Sequence, residues 1–118
     1  MIIILSYQIK KVWTKETAHP AYQPKWSSEN PSVGQCLVTT LLIQEMKGGE
    51  IASCKVGNCS HFVNIIDEQI IDYTSEQFKA PINYKKIIFK ERNRLLENKD
   101  TLKRYQALKR NFLRFKTI

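Results

Sequence analysis

No stretch of this sequence approaches the roughly 18 consecutive apolar residues that a membrane-spanning helix needs. The apolar start, Met1 to Leu5, has no basic segment before it and is interrupted at once by Ser6-Tyr7-Gln8, which argues against a signal peptide. A cytoplasmic location with no membrane partner is therefore the expectation. Cysteine is scarce and odd in number, three in all, which suits free thiols better than a disulfide framework. Internal repeats and low-complexity runs are missing. Nothing supports a dinucleotide site, a P-loop or a metal-dependent nuclease. No cofactor is expected.

What remains is 118 residues, enough for one domain (1–118) with one core. Apolar residues make up 42% and charged residues 25%, as in ordinary soluble globular proteins. The net charge of +8 is unevenly placed. From Lys85 onward there are 12 Lys and Arg against Glu91, Glu97 and Asp100. The first 84 residues are close to neutral. The basic stretch 85–118 offers itself to a nucleic acid or an acidic partner. It carries no aromatic-interleaved nucleic-acid motif, so a solvated helix face explains it as well.

Leu5, Ile9, Val12 and Trp13 fall at helical spacing, predicting a first helix over Leu5 to Glu16. Pro20, Pro24 and Pro31 with Ser27, Ser28 and Asn30 mark a loop from His19 to Pro31, anchored by Tyr22 and Trp26. Ser32 and Gln35 have the spacing of a capping box, and Leu37, Val38, Leu41, Leu42 and Met46 form an apolar stripe after them. Gly48-Gly49 ends that second helix, whose first turn holds Cys36. Strands are expected at Glu50 to Val56, Cys59 to Ile66 and Gln69 to Tyr73. Gly57-Asn58 is the first hairpin turn and Asp67-Glu68 a weaker second. Thr74 to Phe78 reads as a helical turn. The C-terminal region is helical by composition. Thr101 is a candidate cap for a last helix carrying Leu102, Tyr105, Leu108, Phe112 and Phe115.

Two such turns place Cys54 opposite His61, and Asp72 diagonally across from it. By alternation, Ala52, Cys54, Val56, Cys59, His61, Val63, Ile65, Ile70 and Asp72 share one face. That face is mostly apolar and is expected to cover the helix. A three-residue second turn would move Asp72 to the other side. A buried His beside a buried Asp satisfies itself by hydrogen bonding. It also has a chemical use. The carboxylate orients the imidazole, and the imidazole activates Cys36 at the helix start. Gly34 would allow close approach of a substrate backbone. Asn30, Gln35 or the Cys36 backbone N–H would serve an oxyanion, with Tyr22 and Trp26 as substrate-side walls or packing anchors.

Several runs together resemble the YunG family of small bacterial proteins. They are Trp26…Asn30-Pro31-Ser32-Val33-Gly34-Gln35-Cys36, Gly48-Gly49-Glu50-Ile51, Ser60-His61-Phe62-Val63-Asn64, Ile71 to Phe78 and Thr101 to Tyr105. Trp13-Thr14-Lys15-Glu16-Thr17 also fits. More distantly, the order Cys36, His61, Asp72 is similar to papain-like and transglutaminase-like proteins, where a helix-start Cys precedes a His and an Asp or Asn on adjacent strands. Papain-like enzymes also carry an amide side chain six residues before the cysteine, the spacing of Asn30. The 25-residue interval from Cys36 to His61 and the lack of a substrate domain depart from that pattern.

The expected fold is α+β. A core helix carrying Cys36 packs on a small antiparallel meander, with flanking N- and C-terminal helices, a minimal papain-like core. The expected chemistry is thiol-dependent acyl transfer or amide hydrolysis on a protein or amide substrate. Two other readings compete. Cys36, Cys54, Cys59 and His61 form a formal Cys₃His metal set, although a directly paired Cys54 and His61 leave little room for an ion. Alternatively, all these residues are structural and the basic C-terminal helix docks on an anionic partner.

Overall fold

A computed structural model describes residues 2–79 and 81–116, with side chains for 5–79 and 81–115. Its elements are α1 (Ile2–Val12), α2 (Cys36–Lys47), β1 (Glu50–Val56), β2 (Cys59–Ile66), β3 (Gln69–Ile71), β4 (Ile88–Lys90), α3 (Arg92–Leu96) and α4 (Lys99–Lys116). The strands form one antiparallel sheet in the order β3-β2-β1-β4. The fold class is α+β, as expected. No helix among the described residues is long and apolar enough to cross a membrane.

Both hairpins have two-residue turns. Val56 pairs with Cys59 and Cys54 with His61 across Gly57-Asn58, and Ile66 pairs with Gln69 across Asp67-Glu68. Gly57 takes φ +62°, while Asp67 and Glu68 take +50° and +65° without being glycine. Positive φ at both Asp67 and Glu68 is the signature of a type I′ turn, whose twist matches the strands. The register of the second hairpin is therefore the one that keeps Asp72 on the side of His61.

The hydrophobic cluster lies between helices. Val38, Leu41, Leu42 and Ile43 of α2 meet Leu5, Ile9, Val12 and Trp13 from the N-terminal segment and Tyr105, Leu108 and Phe112 of α4. The sheet joins this cluster through Ile51, Phe62 and Ile66. Asn64, on that same face, donates from Nδ2 to the Thr40 carbonyl of α2 at 3.0 Å. This corrects the expected facing. The strand residues that join the apolar cluster alternate with His61, not alongside it. The face with Ala52, Cys54, His61 and Val63 is buried too, so β1 is covered on both sides over residues 51–54. A strand covered on both sides loses the polar–apolar alternation that would tell one face from the other.

Local competition explains the other departures. α1 ends at Val12 rather than running to Glu16. The Thr17 hydroxyl donates to the Thr14 carbonyl and accepts from the Thr14 N–H, closing a 3₁₀ turn at Lys15–Thr17 instead. Pro20–Lys25 also forms a 3₁₀ segment inside the expected loop. The capping box at the start of α2 is not made: the cap is Gln35, without a side-chain cap bond. The cap of α4 is Asn98, whose Oδ1 accepts from the Thr101 N–H at 3.0 Å, so Thr101 stands in the first turn. β4 arises where a helix-rich composition gave no strand, because Ile51–Ser53 of β1 offers it an open edge.

Candidate active site

Asp72 lies just beyond the last ladder residue of β3, and four donors converge on its carboxylate. Oδ2 accepts from His61 Nε2 and from the Tyr84 hydroxyl, each at 2.7 Å. Oδ1 accepts from the Thr74 N–H at 3.1 Å and the Thr74 hydroxyl at 3.3 Å. The carboxylate is 6% exposed and the imidazole wholly buried. Burial opposes the charged form of Asp72, but His61, Tyr84 and the Thr74 amide outweigh it and hold the carboxyl below its ordinary range. Burial likewise opposes a charged His61. The hydrogen bond to Asp72 and the adjacent Cys36 prevail over it and raise the imidazole to about 9. Tyr84, half-buried against the carboxylate, has its phenol pushed well above the usual range.

One imidazole nitrogen is thus fixed. Nδ1, the other, is buried without a hydrogen-bond partner among the described residues. Cys36 is the thiol whose charge acts on this ring. It is half-buried and free, at the first position of α2, whose axis dipole and leading N–H groups favour an anion there. Phe78 closes the ring edge-on, with centroids 5.0 Å apart and planes at 89°. A helix start, two adjacent strands and a following turn therefore bring Cys36, His61 and Asp72 together.

The neighbours expected around Cys36 divide. Tyr22 is near: its hydroxyl donates to Cys59 Sγ at 3.2 Å, and its phenol is raised first by that bond and also by Cys36. Trp26 is an anchor, donating from Nε1 to the Pro31 carbonyl at 2.9 Å. Asn30 is exposed on the loop, bridged to Ser27 through its backbone. Gln35 is wholly buried. Its Oε1 accepts from the Thr17 hydroxyl at 2.7 Å and its Nε2 donates to the Thr14 carbonyl at 2.9 Å. Its carboxamide thus ties α2 to the turn after α1. Gly34 has φ +73°, and a Cβ there would stand 2.9 Å from the His19 nitrogen. The backbone that approaches Gly34 is the chain's own.

Of the other cysteines, Cys54 is buried and Cys59 half-buried, and both are free thiols. Burial, then Asp72 and Cys36, push the Cys54 thiol up. Among the described residues no group of three or more His, Cys, Asp or Glu is arranged to hold a metal ion, so the Cys₃His set does not converge. Tyr84, Thr74 and Gln77 were not named as site residues from the sequence. Gln77 Oε1 accepts from the Gly34 N–H at 3.3 Å, tying the segment after Asp72 to the segment before Cys36. A buried carboxylate needs donors beyond one imidazole, which predicts a partner such as Tyr84 but not its position.

The family model described as YunG protein matches residues 3–116. The Bacillus subtilis (strain 168) protein named Uncharacterized protein YunG is 37% identical over 110 residues, covering 93% of this chain and 90% of that protein. No solved structure matches. A match over nearly the whole length, through the segments that carry Cys36, His61 and Asp72, places this chain in the YunG family.

Proposed function

We propose that this protein is a thiol-dependent acyl-transfer or amide-hydrolysing enzyme with a minimal papain-like core, acting through Cys36, His61 and Asp72. The observation that carries this reading is the 2.7 Å bond from His61 Nε2 to Asp72 Oδ2, which leaves Nδ1 as the nitrogen available to Cys36. Cys36 attacks an acyl carbon as the thiolate, and the developing oxyanion is met by the Cys36 N–H at the helix start. The His61 imidazolium gives its proton to the leaving amine. Water or a second amine then opens the thioester, with His61 taking the incoming proton and Cys36 leaving as thiolate. Asp72 keeps the ring oriented and its charge balanced throughout. A cytoplasmic location, where thiols stay reduced, belongs to this reading and suits three free cysteines.

The test is alkylation of Cys36 by iodoacetamide at neutral pH in a Cys54→Ser, Cys59→Ser background. An adjacent imidazolium favours the thiolate, so His61→Ala is expected to slow the reaction by about tenfold. An unreactive Cys36, or one indifferent to His61, would count against the enzyme and favour a structural role for all three residues.

The second reading, docking of the basic C-terminal helix on an anionic partner, has support from exposed Lys99, Lys103 and Arg110. Several other cations of that stretch are engaged inside the protein. Arg104 is 4% exposed and bonded to Asp100 at 2.7 Å. Arg92 reaches the Leu41 carbonyl and the Tyr105 hydroxyl, and Lys109 pairs with Glu45. Residues 117 and 118 of the stretch lie outside the described residues.

A further inference from the structure

β1 is seven residues long, but β4 pairs only with Ile51, Ala52 and Ser53. Beyond Ser53, among the described residues, Cys54–Val56 has no ladder partner on that side. A groove of about 360 Å³ lies along this unpaired edge. It is lined by Ser53, Cys54 and Lys55 of β1 and by Asn83, Lys86, Ile87 and Ile88 from the segment leading into β4. The next strand outward is also uncovered: Ile88 is 63% and Phe89 61% exposed. The cations that line the groove are Lys55 and Lys86. No ion pair engages them among the described residues, whereas Lys10 and Lys109 each hold a glutamate. No carboxylate lines the groove.

An open strand edge presents N–H and C=O groups that bond to another extended chain, and side-chain pockets beside it select which chain. Here the selecting groups are two isoleucines and two lysines. We infer that this groove binds a short extended segment of an acidic partner protein. The segment pairs with the Cys54–Val56 edge, sets an apolar side chain against Ile87 and Ile88, and directs carboxylates to Lys55 and Lys86. Charge chooses this occupant over a second copy of the chain, because two copies joined here would face lysine with lysine. The unpaired backbone edge and isoleucine wall favour a peptide over a nucleic acid, which would seek phosphate contacts and stacking surfaces. The inference does not depend on Cys36 being a nucleophile, and its readout is binding alone.

The experiment uses the whole protein, isotope-labelled, and a short blocked peptide alternating Glu and Val. Amide shifts on titration are expected at Cys54–Val56 and Asn83–Ile88, with affinity falling as salt rises. The Lys55→Glu, Lys86→Glu protein, altered only at exposed residues, is expected to keep its spectrum and bind about tenfold more weakly. A peptide with Pro in place of alternate Val residues, unable to pair with the edge, is expected not to bind. The inference is overturned if the acidic peptide shifts no groove amide, or if its Lys-for-Glu counterpart binds equally well. It is also overturned if a single-stranded oligonucleotide displaces it from the same amides, or if the free protein self-associates through this edge.

Discussion

His61 on β2 and Asp72 just past the end of β3, eleven residues apart, meet at 2.7 Å with the imidazole buried and the carboxylate nearly so. Their interaction sets a pH dependence whose sign is determined. The imidazole is raised from 6.5 to about 9 on folding, so the folded state holds its proton more tightly than the unfolded state. Its contribution to stability is complete below pH 6.5 and is lost as pH rises toward 9. The depressed Asp72 carboxyl acts oppositely, contributing above its ordinary value of 3.8 and failing as pH falls below it. Urea midpoints are expected to decline from pH 6.5 to 9, with the decline much reduced in His61→Gln. A flat profile in the parent protein would exclude a proton on His61.

Tyr84→Phe removes one of the two donors on Asp72 Oδ2 and leaves the His61 bond in place. The Asp72 carboxyl is expected to move back toward its ordinary value, read by carbon-detected titration. Stability is expected to fall by about 1 kcal/mol, the scale of one hydrogen bond. An unchanged carboxyl titration would show that the phenol does not reach the pair.

Gly34→Ala forces a side chain onto a residue at φ +73° and against the His19 backbone. Both effects destabilise, and about 2–3 kcal/mol is expected in denaturant unfolding. Gly57→Ala is the comparison. Its φ is +62° with nothing within 4 Å of the added carbon, so it carries the backbone cost alone, about 1 kcal/mol. Equal losses at the two sites would mean that the contact at His19 yields easily.

Gln35→Met keeps approximate side-chain size and removes both amide bonds to the turn, leaving the Thr14 carbonyl and Thr17 hydroxyl only their bonds to each other's residue. A loss of about 2 kcal/mol is expected. If the role of Gln35 is to tie α2 to the preceding turn, Cys36 alkylation in the folded variant stays near the parent rate. A large fall in thiol reactivity with little loss of stability would instead return Gln35 to the chemistry.

Arg104→Met and Lys103→Met separate structural from solvated cations on one helix. Arg104 is buried, bonded to Asp100 and donates to the Thr17 carbonyl at 3.4 Å, whereas Lys103 is exposed. Thermal unfolding is expected to show a loss of about 1–3 kcal/mol for Arg104→Met and less than about 0.5 kcal/mol for Lys103→Met. Matching effects would remove the distinction drawn between the two faces of α4.

Much of this site was readable before the fold was known, because its geometry is local. Gly57-Asn58 and Asp67-Glu68 each close a two-residue turn, and strand alternation then carries Asp72 to His61. Cys36 was assigned to the first turn from a Ser32/Gln35 capping-box spacing and the apolar stripe after it; the box is not made, but Cys36 does open α2. Tyr84 was not readable. It reaches Asp72 from an irregular segment, without a period or turn to announce it. β4 was hidden for the same reason, since Ile88, Phe89 and Lys90 are too few to show a strand alternation until β1 offers an edge.

By itself the sequence determined the α+β class, the two hairpins and the pairing of His61 with Asp72. These depend on turns and alternation over a dozen residues, and short-range sterics decide such things alone. Tertiary structure decided which sheet face meets the apolar cluster, why Gly34 has no side chain, and that Gln35 serves the fold around Thr14 and Thr17. It also decided that Arg104 faces inward while its neighbour Lys103 faces water. Each of these depends on contacts between segments distant along the chain, where burial and hydrogen-bond satisfaction are settled only when the pieces meet.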